Sequence, residues 1–158
     1  MLFVDECHLC WGDTCGYVWG RTDRRIEIPI TNQRERQTYF GALNYTTKEF
    51  ILKEYDTGNG ENTKHFMEFL QEKYIGKKIV LIWDGASYHR SDVVKSFLSS
   101  VNDGKLSKDW LFTCILFAPN APKQNPVEDV WLQGKNFLRK YGNFITLFLW
   151  LNFFLSSF

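Results

Sequence analysis

Three acidic side chains stand where a carboxylate can do chemistry. Asp5 follows the apolar run Leu2-Phe-Val4. Asp84 closes the run Ile79-Val-Leu-Ile-Trp83 and precedes Gly85. Glu128 lies in Asn125-Pro-Val-Glu128, after a proline-containing loop. In open α/β sheets, sites gather beyond the carboxyl ends of strands. Three carboxylates meeting there repel one another unless a cation lies between them. Hard divalent ions such as Mg2+ or Mn2+ prefer oxygen ligands, and two ions about 3.5–4 Å apart clamp both sides of a phosphoryl displacement. Each acid also has an ordinary explanation. Asp5 can open a turn or pair with an arginine, and Asp84 before glycine can cap the next helix. Glu128 fits a capping box, with Asn125 as N-cap and Pro126 at the first helical position.

The elements that must position these acids follow from hydrophobic period. Strands are expected at 2–6, 16–20, 26–30, 37–46 and 49–55, where alternating, β-branched and aromatic residues dominate. The turn residues Asp56 to Gly60 close this β-rich half. The period then changes. Phe66, Phe69, Leu70 and Tyr74 predict an amphipathic helix over 61–75, ended by Gly76. Residues 79–83 read as a buried parallel strand. Ser91 is the expected N-cap of a second helix carrying Val94, Phe97, Leu98 and Val101 on one face, broken at Asn102-Asp-Gly104. Residues 110–117 read as another buried strand. Val127, Val130, Trp131, Leu138 and Tyr141 mark a third helix. A meander followed by β-α-β crossovers predicts an α/β fold, a mixed sheet with helices on its faces.

The 158 residues amount to one domain, and 44% hydrophobic with 23% charged residues excludes a disordered chain. With 19 basic and 18 acidic residues, any polyanion must be bound by local patches. The absence of a basic leader before the first apolar run predicts a reducing compartment. Cys7, Cys10 and Cys15 with His8 suggest zinc, but no second Cys-x-x-Cys or His pair completes a closed site, so ordinary thiols are expected. The last stretch, 142–158, carries no charge, and five of the 14 phenylalanines fall in its final fifteen residues. As a helix those fifteen would reach about 22 Å, short of the roughly 30 Å of a bilayer core. It reads as a helix covering one sheet face, or as a tail left by a lost reading frame. No membrane partner is expected.

Phe3-Val-Asp-Glu6, Ile82-Trp-Asp-Gly-Ala-Ser-Tyr-His-Arg90 and Phe117-Ala-Pro-Asn-Ala-Pro-Lys-Gln-Asn-Pro-Val-Glu-Asp-Val-Trp131 resemble the three acidic motifs of bacterial insertion-sequence transposases of the mariner superfamily. Gly41-Ala-Leu43 also matches a strand of that family, and the resemblance covers about residues 2–140. It implies a ribonuclease H-like fold over 1–141, with Asp5, Asp84 and Glu128 as a catalytic, metal-binding triad holding two Mg2+ or Mn2+ ions. The implied reaction is phosphodiester hydrolysis at a transposon end, then strand transfer into target DNA. Between Asp84 and Glu128 lie 43 residues, more than is common in the superfamily, and the excess falls in the loop around 102–110.

His89 matches a histidine of the second motif and is expected to contact a scissile phosphate, to steady the site, or to be a satisfied structural histidine. Glu6 neighbours Asp5 on a strand, so its side chain should face the other side of the sheet. Double-stranded DNA is the implied partner. Its candidate contacts are Arg21, Arg24, Arg25, Arg34 and Arg36, where Asp23, Glu27 and Glu35 dilute the charge, and the acid-free group Lys135, Arg139 and Lys140. A solvated charged face is the alternative for both groups. The family's helix-turn-helix recognition region has no counterpart in this sequence. The expectation is therefore a catalytic domain working with a separate recognition subunit and dimerising on DNA, in the bacterial cytoplasm at the nucleoid. The alternatives are a non-catalytic remnant or another ribonuclease H-like nuclease.

Overall fold

A computed structural model describes residues 1–10, 20–24, 36–118 and 124–141. The strands expected at 16–20 and 26–30, the residues Cys15, Arg25 and Arg34, and the apolar tail lie outside the described residues. Five strands are described: β1 Leu2–Cys10, β2 Arg36–Asn44, β3 Phe50–Tyr55, β4 Ile79–Trp83 and β5 Phe112–Leu116. The described helices are α1 Gly60–Lys73, α2 Asp92–Asn102 and α3 Val127–Tyr141. The strands form one sheet in the order β3-β2-β1-β4-β5. β1 pairs antiparallel with β2, with Asp5 opposite Gly41, and β2 pairs antiparallel with β3. β1 pairs parallel with β4, and β4 with β5. This is the mixed sheet flanked by helices that the period changes predict.

Alternation along β1 divides the molecule into two faces. Leu2 and Val4 join Phe40, Ala42, Leu81 and Trp83 in a core closed by Phe66, Met67 and Leu70 of α1 and by Val94 and Phe97 of α2. Phe3, Cys7 and Leu9 face the other way, packing with Tyr39, Phe50 and with Val127, Trp131 and Leu138 of α3. Burying each of the large side chains contributes about 2 kcal/mol.

Helix starts follow sequence chemistry. Asn59 Oδ1 accepts from the Asn62 N–H at 2.8 Å, and Ser91 Oγ from the Val94 N–H at 3.4 Å. Beyond the ends of α1 and α2, Gly76 and Gly104 take positive φ values of 74° and 67°, which cost glycine little.

β5 departs from expectation. It begins at Phe112, because Asn102 at the end of α2 clamps the incoming chain. Asn102 Oδ1 accepts from the N–H groups of Leu111 (2.8 Å) and Phe112 (3.2 Å), and its Nδ2 donates to the Phe112 carbonyl at 2.9 Å. β5 is also a sheet edge, not a buried strand. Phe112 packs on Phe97 of α2, whereas Ile115 and Leu116 are 47% and 50% exposed. The clamp ties both ends of the long 103–110 connection, so its length need not disturb the sheet edge.

Gly41 sets how closely α3 approaches the sheet. A Cβ there would lie 2.6 Å from both the Phe50 ring and the Trp131 indole, which meet edge-on at 5.3 Å. Gly41→Ala is therefore expected to destabilise the chain by about 2 kcal/mol, measured as a lower denaturation midpoint. The metal role that the motif resemblance implies for Glu128, three residues before Trp131 on the same helix, predicts weaker divalent-metal binding as well.

Candidate active site

The three candidate acids come from three elements at one end of the sheet. Asp5 lies in β1 between Phe3 and Cys7, both in the α3-side core. Asp84 directly follows β4. Glu128 is in the first turn of α3, whose start is held by Asn125 Oδ1 accepting from the Val127 N–H at 3.2 Å. No hydrogen bond to the Glu128 carboxylate is seen among the described residues, so the capping-box explanation finds no contact here.

The acids act on one another. Burial, then the carboxylates of Glu6, Glu128 and Asp84, push the Asp5 carboxyl up to about 7. Asp84 behaves oppositely, because the hydrogen bond from His89 holds its carboxyl below the usual range. Its turn role is also present: Asp84 Oδ1 accepts from the Ala86 N–H at 2.9 Å.

His89 lies on a 3-10 turn, Ser87–Arg90, that passes beneath the end of β4. Its ring stacks on the Trp83 indole with centroids 4.3 Å apart and planes 6° from parallel. Nε2 is 3.0 Å from Glu6 Oε1. Nδ1 is 3.2 Å from the Asp84 carbonyl oxygen and 3.2 Å from its Oδ1. Burial opposes the imidazolium, but the bonds to Asp84 and Glu6 outweigh it and push His89 up to about 9. The side chain is 1% exposed, so neither nitrogen is presented to a DNA phosphate. A buried ring with both nitrogens partnered fits a histidine that steadies the site and equally a satisfied structural histidine.

Glu6 points to the face opposite Asp5, as strand alternation requires. There its Oε2 accepts from the Tyr88 hydroxyl at 3.0 Å. Sequence reasoning placed its face correctly but missed its partners, which lie 82 and 83 residues away in the chain. Among the described residues, the ligand atoms within 4.8 Å of one another belong to Glu6, Asp84 and His89. Asp5 and Glu128 are not part of that group; Asp5 feels the charges of Glu6 and Asp84 from it, and that of Glu128 from α3.

The basic candidates divide. Arg21 is bound at two points by Asp23, at 2.9 and 2.7 Å, on an exposed turn, which offsets its charge locally. Arg24 is exposed. Arg36 and Lys135 lie near enough to His8 that, after burial, their charges help lower its basicity. These two elements thus bring positive charge to the same end of β1. Arg139 and Lys140 are exposed on the last turn of α3. The DNA contact that the motif resemblance implies for these groups predicts that Lys135→Ala with Arg139→Ala weakens DNA binding and reduces the log–log salt slope by about 1 for each phosphate that is no longer neutralised. Titrations at several salt concentrations check this.

No helix among the described residues is long and apolar enough to cross a membrane.

The sequence model described as DDE superfamily endonuclease matches residues 1–147. No curated protein matches significantly. Among solved structures, the chain resembles the Mos1 mariner paired-end complex with Mn, with a TM-score of 0.67 and 12% identity, over 99% of this chain and 48% of that one. It resembles the Mos1 transposase paired-end complex with left transposon end at a TM-score of 0.60 and 13% identity, over 87% and 41%. The simian T-cell lymphotropic virus intasome in complex with PP2A regulatory subunit B56 gamma gives 0.67 and 10%, over 99% and 46%. The chain thus spans less than half the length of each of these proteins. At such identities the likeness is one of fold, the ribonuclease H-like mixed sheet. With residues 1–147 inside the family match, the chain belongs to the DDE superfamily of endonucleases.

Proposed function

We propose that this chain is the catalytic domain of a DNA transposase, in which Asp5, Asp84 and Glu128 hold two Mg2+ or Mn2+ ions at the end of the sheet. The observation that carries the reading is Asp5. A carboxyl pushed up to about 7 by burial and by neighbouring acids on two other elements marks a site short of positive charge. Its donors are hard oxygens, which suit these cations. When bound, the ions polarise the scissile phosphate and favour the deprotonated nucleophile.

The chain's own groups do the rest. β1 and β4 fix two carboxylates on a sheet, and α3, seated on Gly41 through Trp131, brings in the third. Lys135, Arg139 and Lys140, with Arg36, hold the DNA backbone. Water attacks the phosphorus at the element's end and the 3′ oxygen leaves as a free hydroxyl. That hydroxyl then attacks a phosphorus of target DNA, forming a new phosphodiester while the target's own 3′ oxygen leaves and takes up the attacking hydroxyl's proton. The similar mariner complexes contain transposon ends and Mn, which favours this reading over a hybrid- or junction-cutting nuclease. Two catalytic chains meeting on DNA complete the reading. The motif resemblance favours a bacterial element acting at the nucleoid.

Calorimetric Mn2+ titration of wild type and Asp84→Asn tests the site. Binding to wild type that is lost in the variant supports it. Equal binding by both removes Asp84 from the metal site. A panel of linear duplex, RNA–DNA hybrid and four-way junction tests the substrate, and preferred cutting of hybrid or junction would overturn the transposase reading.

A further inference from the structure

We propose that Glu6 is a positioning residue for Asp84, acting through His89. The inference rests on the reading of Asp84 as a metal ligand. It starts from hydrogen-bond directions. His89 Nε2 faces a carboxylate oxygen of Glu6, and Nδ1 faces the carbonyl and Oδ1 of Asp84. The Asp84 carbonyl can only accept, so Nδ1 donates to it, and the ring bridges from the Glu6 carboxyl to Asp84 while lying flat on Trp83.

The ring fixes the Asp84 carboxylate, since Oδ1 is held by both Nδ1 and the Ala86 N–H. Glu6 fixes the ring in turn. Its side chain is 4% exposed, with one oxygen on His89 and the other on the Tyr88 hydroxyl. Glu6 thereby sets the orientation of Asp84 from the far side of the ring. Both Glu6 oxygens already have partners inside the protein, and this separates Glu6 from a direct ligand. Outer residues that orient a metal ligand are commonly worth 10–100-fold in affinity.

Two readouts on the full chain test this. The first is the Asp84 13Cγ resonance of the metal-free protein, which reports that carboxylate's surroundings without any metal. Glu6→Gln keeps the shape and the hydrogen bonds but drops the charge, and should move this resonance. Tyr88→Phe, which removes one hydrogen bond to Glu6 and no charge, should move it the same way by less, and serves if Glu6→Gln does not fold. The second readout is Mn2+ affinity in a double-mutant cycle. Glu6→Gln should weaken binding about tenfold in wild type, and by less than about threefold when His89→Asn is already present. An Asp84 resonance that stays put in folded Glu6→Gln overturns the proposal, as does an equal loss of affinity in both backgrounds, which would make Glu6 a direct ligand. Failure of the underlying reading shows separately, as Mn2+ binding by Asp84→Asn equal to wild type.

Discussion

Asp84→Asn is expected to lower divalent-metal-dependent DNA cleavage on the order of a thousandfold, with thermal unfolding shifted by only a few degrees. The asymmetry follows from where the side chain sits. Its carboxylate is 57% exposed and packs in neither core, so the folding energy at stake is confined to its bond with His89. Asparagine retains an oxygen for the Ala86 N–H that Asp84 Oδ1 now accepts. What it loses is the charge. Asp5→Asn and Glu128→Gln should each cost a similar factor, and the doubly substituted Asp84→Asn, Glu128→Gln chain should be little worse than either alone, because groups that act as a unit are not additive. Turnover measured under single-turnover conditions, beside melting curves of the same preparations, checks this. A folded Asp84→Asn chain that cleaves at the wild-type rate would exclude Asp84 from the chemistry.

The metal-free chain is expected to lose stability as pH rises from about 4 to about 9, and Mn2+ should restore most of the part due to Asp5. Asp5 is raised by burial and neighbouring acids from 3.8 to about 7. The folded state therefore holds this proton more tightly than the unfolded state, and stability falls as pH climbs through that window. His89, held by Asp84 and Glu6 against the cost of burial, is raised from 6.5 to about 9. Its contribution is complete below 6.5 and is lost as pH rises through 9. Asp84 runs the other way. Its carboxyl is lowered by the His89 bond, so that contribution is present above its ordinary value and is lost on further acidification. The optimum without metal should thus lie on the acid side of neutrality. Asp5→Asn should raise metal-free stability at pH 8 by about 2 kcal/mol and blunt the stabilisation by Mn2+, which at a hundredfold excess over Kd would be about 2.7 kcal/mol in wild type. Urea denaturation at pH 5.5 and 8, with and without Mn2+, measures both. A stability that rises over this range in metal-free protein would contradict the buried, charge-crowded Asp5.

The second half of the fold is legible because its period is local. Phe66 and Leu70, Val94 and Phe97, and Val127 and Trp131 each announce one face of a helix, and Ser91 and Asn125 announce the starts of the second and third. β5 was less legible. Its apolar composition implies a strand buried on both faces, but an edge position leaves Ile115 and Leu116 open, and composition does not encode which strand lies at the edge. In the site, Asp5, Asp84 and Glu128 stand out by context. The parity of β1 assigns Glu6 and Asp5 to opposite faces without any structure. That Glu6 meets Tyr88 and His89 was not legible. The meeting depends on β1 lying parallel to β4 in the register Leu2↔Leu81 and Phe3↔Ile82 and on a 3-10 turn with no sequence period.

The alternation of β1 has a consequence for which changes the chain tolerates. Asp5 and Glu6 differ by one methylene, yet the sheet sends one to the α3 face and the other to the Trp83–His89 face. Deleting a single residue from Leu2–Val4 would keep every functional side chain but exchange the two acids, putting the longer one against α3 and leaving the shorter one unable to span to His89 and Tyr88. In the 103–110 connection, clamped at both ends by Asn102, the same deletion would leave Asp5, Glu6, Asp84 and Glu128 in place. Tolerance to insertion and deletion should therefore be almost nil over a few residues of β1 and generous some hundred positions later, a contrast that a library of single-residue deletions would display directly.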